Sequence, residues 1–207
     1  MRDGFVKVAA VTPDIKVADC RYNMESIKKE ISRCRKEAVK IAVFPELCIT
    51  GYTCGDLFLQ DILLEEAKKA LRALVEYSKG CDMICFVGLP VMKNARLYNV
   101  CAVFCNGELL GMVPKRNIPN YSEFYELRHF EPGNEDVSEI KLTGYDAPVL
   151  FGGNILFECV SVPGLTIGVE ICEDLWTPQP PSIKHAMNGA TIIVNASASN
   201  ETIGKDT

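Results

Sequence analysis

Histidine is almost missing from this chain: among 207 residues only His129 and His185 carry an imidazole. A reaction that relies on a histidine base, or a metal centre built on histidine, therefore has very few candidates. Neither residue has a flanking pattern that marks a catalytic base, so surface or helix-capping roles are expected and a papain-type mechanism is disfavoured. A basic stripe is lacking too. Lys and Arg number 22 against 27 Asp and Glu, a net charge of −5 with the acids scattered, which argues against a nucleic-acid partner because phosphates need clustered cations. No apolar run is long enough to cross a bilayer, and the N-terminus has no basic head, apolar stretch and small-residue cleavage site, so neither membrane insertion nor export is expected. No Cys-x-x-Cys pair occurs, and the spacings Cys81 to Cys85 and Cys101 to Cys105 match no zinc pattern, so no metal is expected.

What is present is an ordinary globular composition, 48% hydrophobic and 24% charged, long enough for one sizeable core and best read as one domain. The ten cysteines fall mostly within apolar strands or helix faces, as at Cys34, Cys85, Cys101, Cys105 and Cys159. Free cysteine in such places packs as a small hydrophobe, and a reduced, cytoplasmic protein follows.

Periodicity places a strand over Val6 to Val11 and a helix from about Tyr22 to Val39, whose stripe is Met24, Ile27, Ile31, Cys34 and Ala38. A buried strand follows over Ile41 to Phe44, then a helix over Ile62 to Lys79 with Leu63, Ala67, Leu71, Leu74 and Val75 inward, then a strand over Met83 to Leu89. Tyr98 to Cys105 and Glu108 to Val113 flank Asn106-Gly107, a strong two-residue hairpin signal. Pro114 to Pro148 is irregular and too long to be an idle connection, so it is expected to build a site. Asn154 to Val160 and Leu165 to Ile171 predict a second hairpin turning at Val162-Pro163-Gly164. A short helix at Ser182 to Asn188 and a strand at Thr191 to Asn195 precede a polar tail, Ser197 to Thr207, with no closing element, which reads as the end of a fragment. The mixture of βαβ crossovers and hairpins predicts a mixed sheet covered by helices.

Three strand ends carry chemistry. Cys172 follows the apolar run Leu165 to Ile171 and is followed by Glu173-Asp174, an arrangement that offers its sulfur at a sheet rim and not in a core. A free thiol of pKa about 8.5 is only a few per cent thiolate at neutral pH, so attack needs a base or a cation. Glu46, between Pro45 and the apolar Leu47-Cys48-Ile49, supplies a carboxylate whose desolvation raises it toward the range of a general base. Lys115, after Leu109 to Pro114, supplies a cation able to keep Glu46 ionised and to stabilise an oxyanion, with the backbone N–H of Glu173 as a second donor.

Phe44-Pro45-Glu46-Leu47, Lys115 to Tyr121 and Gly168 to Asp174 together resemble the Glu-Lys-Cys signature of the nitrilase superfamily. Glu46 to Tyr52, Cys54 to Phe58, Glu123 to Glu126 with Arg128, Phe130 to Gly133, Glu173 to Trp176 and Asn195 to Asn200 are similar to the glutaminase domain of glutamine-dependent NAD synthetases, and the likeness covers essentially the whole chain. It implies an α/β fold, a four-layer α-β-β-α sandwich, here truncated at its C-terminal end, with residues 1–207 forming an incomplete glutaminase domain. It further implies hydrolysis of L-glutamine, with Cys172 as nucleophile, Glu46 as base and Lys115 stabilising the oxyanion. Substrate binding would fall to Tyr121, Ser199, Lys205, Glu173 and Tyr52, while Glu126 would orient Lys115. The glutaminase itself needs no cofactor. ATP and Mg belong to a C-terminal synthetase domain of the same polypeptide, which amidates nicotinic acid adenine dinucleotide to NAD and which nothing in this chain resembles. A homo-oligomer is expected. Two other readings compete: a stand-alone hydrolase of nitriles, amides or N-carbamoyl amines, and a non-enzymatic fragment serving as an assembly surface.

Overall fold

The computed structural model describes residues 4–200 and 202–204. The first half alternates strand and helix: β1 (Val8–Ala10), α1 (Cys20–Lys36), β2 (Ile41–Val43), α2 (Asp61–Tyr77) and β3 (Ile84–Lys93). A meander of β4 (Arg96–Cys105) and β5 (Glu108–Pro114) follows, then β6 (Ser138–Ile140) and β7 (Val149–Phe151), β8 (Phe157–Glu158), β9 (Thr166–Ile171), α3 (Pro181–Met187) and β10 (Ile192–Ala196). The strands form two sheets, one of seven in the order β1-β2-β3-β4-β5-β7-β6 and one of three in the order β10-β9-β8.

The period of two along each strand divides its side chains between two cores. Ala42, Cys85, Val87, Val100, Ala102 and Phe104 face the helices, meeting Ile27, Ile31 and Cys34 of α1 and Leu64, Ala67, Leu71 and Leu74 of α2. Their neighbours Ile41, Phe86, Cys101 and Val103 face the second sheet, where they meet Phe157, Ile167, Val169, Ile171 and Val194. On the far side of that sheet α3 covers β9, with His185 packed on Gly168. The four layers are thus α1/α2, seven strands, three strands and α3, the α-β-β-α sandwich expected.

Several boundaries differ from the sequence reading. Helix α1 begins earlier because the Asp19 carboxylate accepts from Tyr22 N at 2.9 Å, an N-cap. It ends earlier because Ala38 turns to φ 58° and is exposed, leaving the predicted stripe. Strands β3 and β4 form a long hairpin through Asn94-Ala95, both at positive φ, a turn without the glycine that announces Asn106-Gly107. Strand β6 lies inside the segment read as irregular and β7 begins just after it, while the strand expected over Asn154 to Val160 contracts to Phe157–Glu158. All ten cysteines are free, and Cys105 and Cys159 are half-buried, not core. His185, expected at the surface, is buried with Nε2 3.0 Å from the Val169 carbonyl. Among the described residues no helix is long and apolar enough to cross a membrane.

Strand directions bring the three chemical positions to one end of the sandwich. Strand β2 runs parallel to β3, β3 antiparallel to β4, and β4 antiparallel to β5, so the C-terminal ends of β2 and β5 point the same way. Just past β2 the chain passes through Leu47, a left-handed residue at φ 51°, and lies against β3 at Gly88. A Cβ on Gly88 would sit 2.2 Å from Leu47 N and 2.7 Å from Glu46 C. Those are backbone atoms that cannot rotate away. Gly88→Ala is therefore expected to destabilise the fold by about 2–3 kcal/mol through overpacking, read as a lower urea midpoint. An unchanged midpoint would show that the Glu46 turn is not seated there.

Candidate active site

Lys115 is fully buried, which a lysine tolerates only with partners. Its Nζ donates to Glu46 Oε1 at 2.6 Å and to Glu126 Oε1 at 2.7 Å. Its backbone N–H donates to the Asn99 carbonyl at 2.8 Å, extending the β4–β5 ladder by one bond. Glu46 and Glu126 are buried as well, so one ammonium is shared by two carboxylates. Burial and the Glu126 charge push the Glu46 carboxyl above the usual carboxylate range, while Lys115 and Asn99 pull it back. Against the loss of hydration on burial, the two carboxylates hold the Lys115 ammonium above its ordinary value.

Cys172 opens the turn after β9 and has φ 46°. A non-glycine residue held there stores about 1–3 kcal/mol of strain, which persists only where the surroundings over-determine it. Here they do. Cys172 N donates to Asn195 Oδ1 at 3.1 Å, and Asn195 Nδ2 donates to Glu170 Oε1 at 3.3 Å. Asp174 completes the clamp: its carboxylate accepts from Ile171 N at 3.0 Å, Arg116 N at 3.1 Å, Asn117 N at 2.8 Å and Asn117 Nδ2 at 2.9 Å. One buried carboxylate thereby ties the cysteine turn to the residues just after Lys115. The sequence reading took Glu173-Asp174 as a charged pair signalling a non-core position. The correction is that Asp174 is buried and fully engaged, and Glu173 alone faces outward.

Cys172 is 7% exposed, and its thiol is pushed up to about 11, first by burial and then by the Glu46 carboxylate charge, Lys115 and the Ala198 backbone opposing. It rests as a thiol next to a carboxylate able to receive its proton. The arrangement is therefore suited to concerted proton removal and attack, and a preformed thiolate is not part of it.

The remaining expected residues fall in two groups. Tyr121 OH donates to both Glu173 oxygens, at 3.0 and 2.9 Å, in a pair at the surface. Ser199 is exposed in the segment after β10, close behind Ala198, whose N–H lies 3.3 Å from Glu46 Oε2. Tyr52 lies behind the site, its hydroxyl donating to Glu126 Oε1 at 2.7 Å. Lys205 lies outside the described residues. Neither histidine joins the cluster: His129 pairs with Asp56 at 3.1 Å and His185 is on the outer face of β9. Sequence reasoning missed Asn99, and gave no role to Asp174 and Asn195, which lie within its motifs. The first two are buried polar side chains that no spacing rule distinguishes from ordinary strand and turn residues.

A two-sheet sandwich with a carboxylate, an ammonium and a thiol at one end is a recognised class of hydrolase scaffold. The chain belongs to the carbon-nitrogen hydrolase family, whose pattern matches residues 7–206. It is 41% identical over 202 residues to the glutamine-dependent NAD(+) synthetase of Mycobacterium tuberculosis, covering 98% of this chain and 30% of that protein. It is 33% identical over 195 residues to the human enzyme of the same name, covering 90% of this chain and 27% of that one. The chain thus spans about 30% of the length of the curated relatives it matches. The crystal structure of a glutamine-dependent NAD(+) synthetase from Cytophaga hutchinsonii superposes with a TM-score of 0.85 at 29% identity, covering 97% of this chain and 32% of that one. An amidase from Nesterenkonia sp. superposes with a TM-score of 0.71 at 16% identity, over 98% of this chain and 68% of that one, a likeness of fold alone.

Proposed function

We propose that this chain hydrolyses the side-chain amide of L-glutamine to glutamate and ammonia, and that the ammonia serves a synthetase domain of the same polypeptide. That domain uses ATP and Mg to amidate nicotinic acid adenine dinucleotide to NAD. The observation that carries the reading is the mutual placement of Cys172, Glu46 and Lys115, three side chains remote in sequence: Lys115 Nζ donates to Glu46 Oε1 at 2.6 Å, and both charges act on the Cys172 thiol. The similarity to glutamine-dependent NAD synthetases supplies the substrate class.

In this mechanism Glu46 takes the Cys172 proton as the sulfur attacks the amide carbon. The carbonyl oxygen becomes an oxyanion stabilised by the third N–H of Lys115 and the backbone N–H of Glu173, each donor of this kind supplying about 3–4 kcal/mol. Glu46 returns its proton to the amide nitrogen, the carbon–nitrogen bond breaks, and ammonia leaves a thioester on Cys172. Water, deprotonated by Glu46, attacks the thioester. Glutamate departs and the proton returns to the sulfur, so the enzyme ends unchanged. Glu173 and Tyr121 receive the substrate α-ammonium, Ser199 and Lys205 its carboxylate end, and Tyr52 acts through Glu126.

Comparing ammonia release from L-glutamine, a simple nitrile and an N-carbamoyl amino acid tests the substrate. Glutamine is expected to be turned over at least about a hundredfold faster in kcat/KM, because a site built to pair polar groups rejects analogues that leave them unpaired. Faster turnover of either competitor would overturn the assignment in favour of a stand-alone nitrilase or carbamoylase.

A further inference from the structure

The two oxygens of Glu46 sit in unlike surroundings. Oε1 accepts from Lys115 Nζ at 2.6 Å and from Asn99 Nδ2, also at 2.6 Å. Oε2 has the Ala198 N–H at 3.3 Å, and the Ala198 backbone also lowers the Cys172 thiol against its burial. One oxygen is therefore saturated by two short bonds, and the other meets the longer Ala198 contact.

Asn99 makes the difference, and its place in the fold suits it. It lies on β4 opposite Pro90 of β3, where no ladder hydrogen bond from a proline nitrogen competes. Its backbone carbonyl holds the Lys115 N–H at 2.8 Å. Its Nδ2 reaches Glu46 Oε1 and, at 3.4 Å, Glu126 Oε2, so one carboxamide spans both acids and the backbone of the cation between them. The side chain is buried, and its Oδ1 has no hydrogen-bond partner. Buried amide oxygens seldom go unpaired, and turning the amide over would set Oδ1 against the ionised Oε1 of Glu46. The observed orientation is the one that serves the carboxylate at the expense of the amide oxygen.

We infer that Asn99 is a positioning residue that occupies Oε1 of Glu46, keeps that carboxylate ionised beside Glu126, and leaves Oε2 as the oxygen that receives the Cys172 proton. The inference rests on the hydrolytic reading above and deepens it. The charged or titratable groups facing Glu46 are Lys115 from the end of β5, Glu126 from the short helix Glu126–Arg128, Cys172 after β9 and Tyr52 behind Glu126. Of the donors on Oε1, only Asn99 is neutral at every working pH.

The test uses the full-length protein and a diazo-ketone analogue of glutamine, with the rate of alkylation at Cys172 followed by mass spectrometry across pH. Labelling needs ionised Glu46, so the rate falls as pH drops through the Glu46 pKa. Without the Asn99 donor the ionised form is less favoured and the acid limb moves upward. Asn99→Leu is expected to shift that limb by about one pH unit and to slow labelling below the limb about tenfold. Asn99→Ser, smaller and polar, is expected to move it in the same direction and serves where the leucine variant folds poorly. A folded variant of either kind with the wild-type limb overturns the inference while the hydrolytic reading stands. Wild-type protein that shows no preference for Cys172 over the other nine thiols overturns the hydrolytic reading itself.

Discussion

On the function proposed above, Cys172→Ala is expected to abolish glutamine-dependent NAD synthesis in a polypeptide that carries the synthetase domain, by at least about a thousandfold, while synthesis from added ammonia survives. The other nine thiols are distributed through the two cores and the far ends of the strands, and Glu46 alone would have to activate water against an unactivated amide. The substitution removes one sulfur from a small buried side chain, so it costs about 1 kcal/mol of stability at most. Measuring both half-reactions on the same preparation decides the matter. Loss of ammonia-dependent synthesis together with glutamine-dependent synthesis would mean that Cys172 holds the structure and does not carry the reaction.

The second large effect concerns stability and pH together. Lys115→Met removes the cation bonded to two buried carboxylates, and breaking a buried pair in this way costs about 3–5 kcal/mol. The sign with pH follows from linkage. With the ammonium gone, Glu46, already raised by burial and by Glu126, rises further in the folded state. Between its unfolded value and that higher one the folded protein binds more protons than the unfolded chain, so stability falls as pH increases. The wild-type lysine acts with the same sign but in a higher pH window. Its folded pKa is raised, so its contribution is complete at neutral pH and is lost only as alkaline pH passes through the folded value. Urea unfolding at pH 5 and pH 8 should therefore show the variant's deficit growing with pH. A deficit independent of pH would mean that methionine fails by shape alone. Glutamine hydrolysis should be absent at both.

Which features were legible beforehand depends on the range of the interaction that builds them. Asn106-Gly107 declares its hairpin because both residues adopt positive φ cheaply, and the observed values are 49° and 84°. The stripes of α1 and α2 were readable for the same local reason, up to the point where Ala38 turns out of the helix. The Asn94-Ala95 turn has no such chemistry, and the β3–β4 pairing that forms it is settled by cross-strand contacts along its length. Glu46, Lys115 and Cys172 were visible because each breaks an apolar run with a reactive group. Asp174 and Asn99 were not, since an aspartate in a turn and an asparagine in a strand look ordinary until their partners arrive.

The amino-acid sequence by itself determined the alternation of strand and helix and the placing of a carboxylate, an amine and a thiol at strand ends, because periodicity and residue chemistry are local. Only the tertiary structure decided that one ammonium would be shared by two carboxylates, that Asp174 would clamp the cysteine turn to the lysine segment, and that an asparagine would distinguish the two oxygens of Glu46. Those outcomes depend on distances between residues 11 to 69 positions apart. Hydrogen bonding and charge take effect only after packing of the two sheets has removed water from between them.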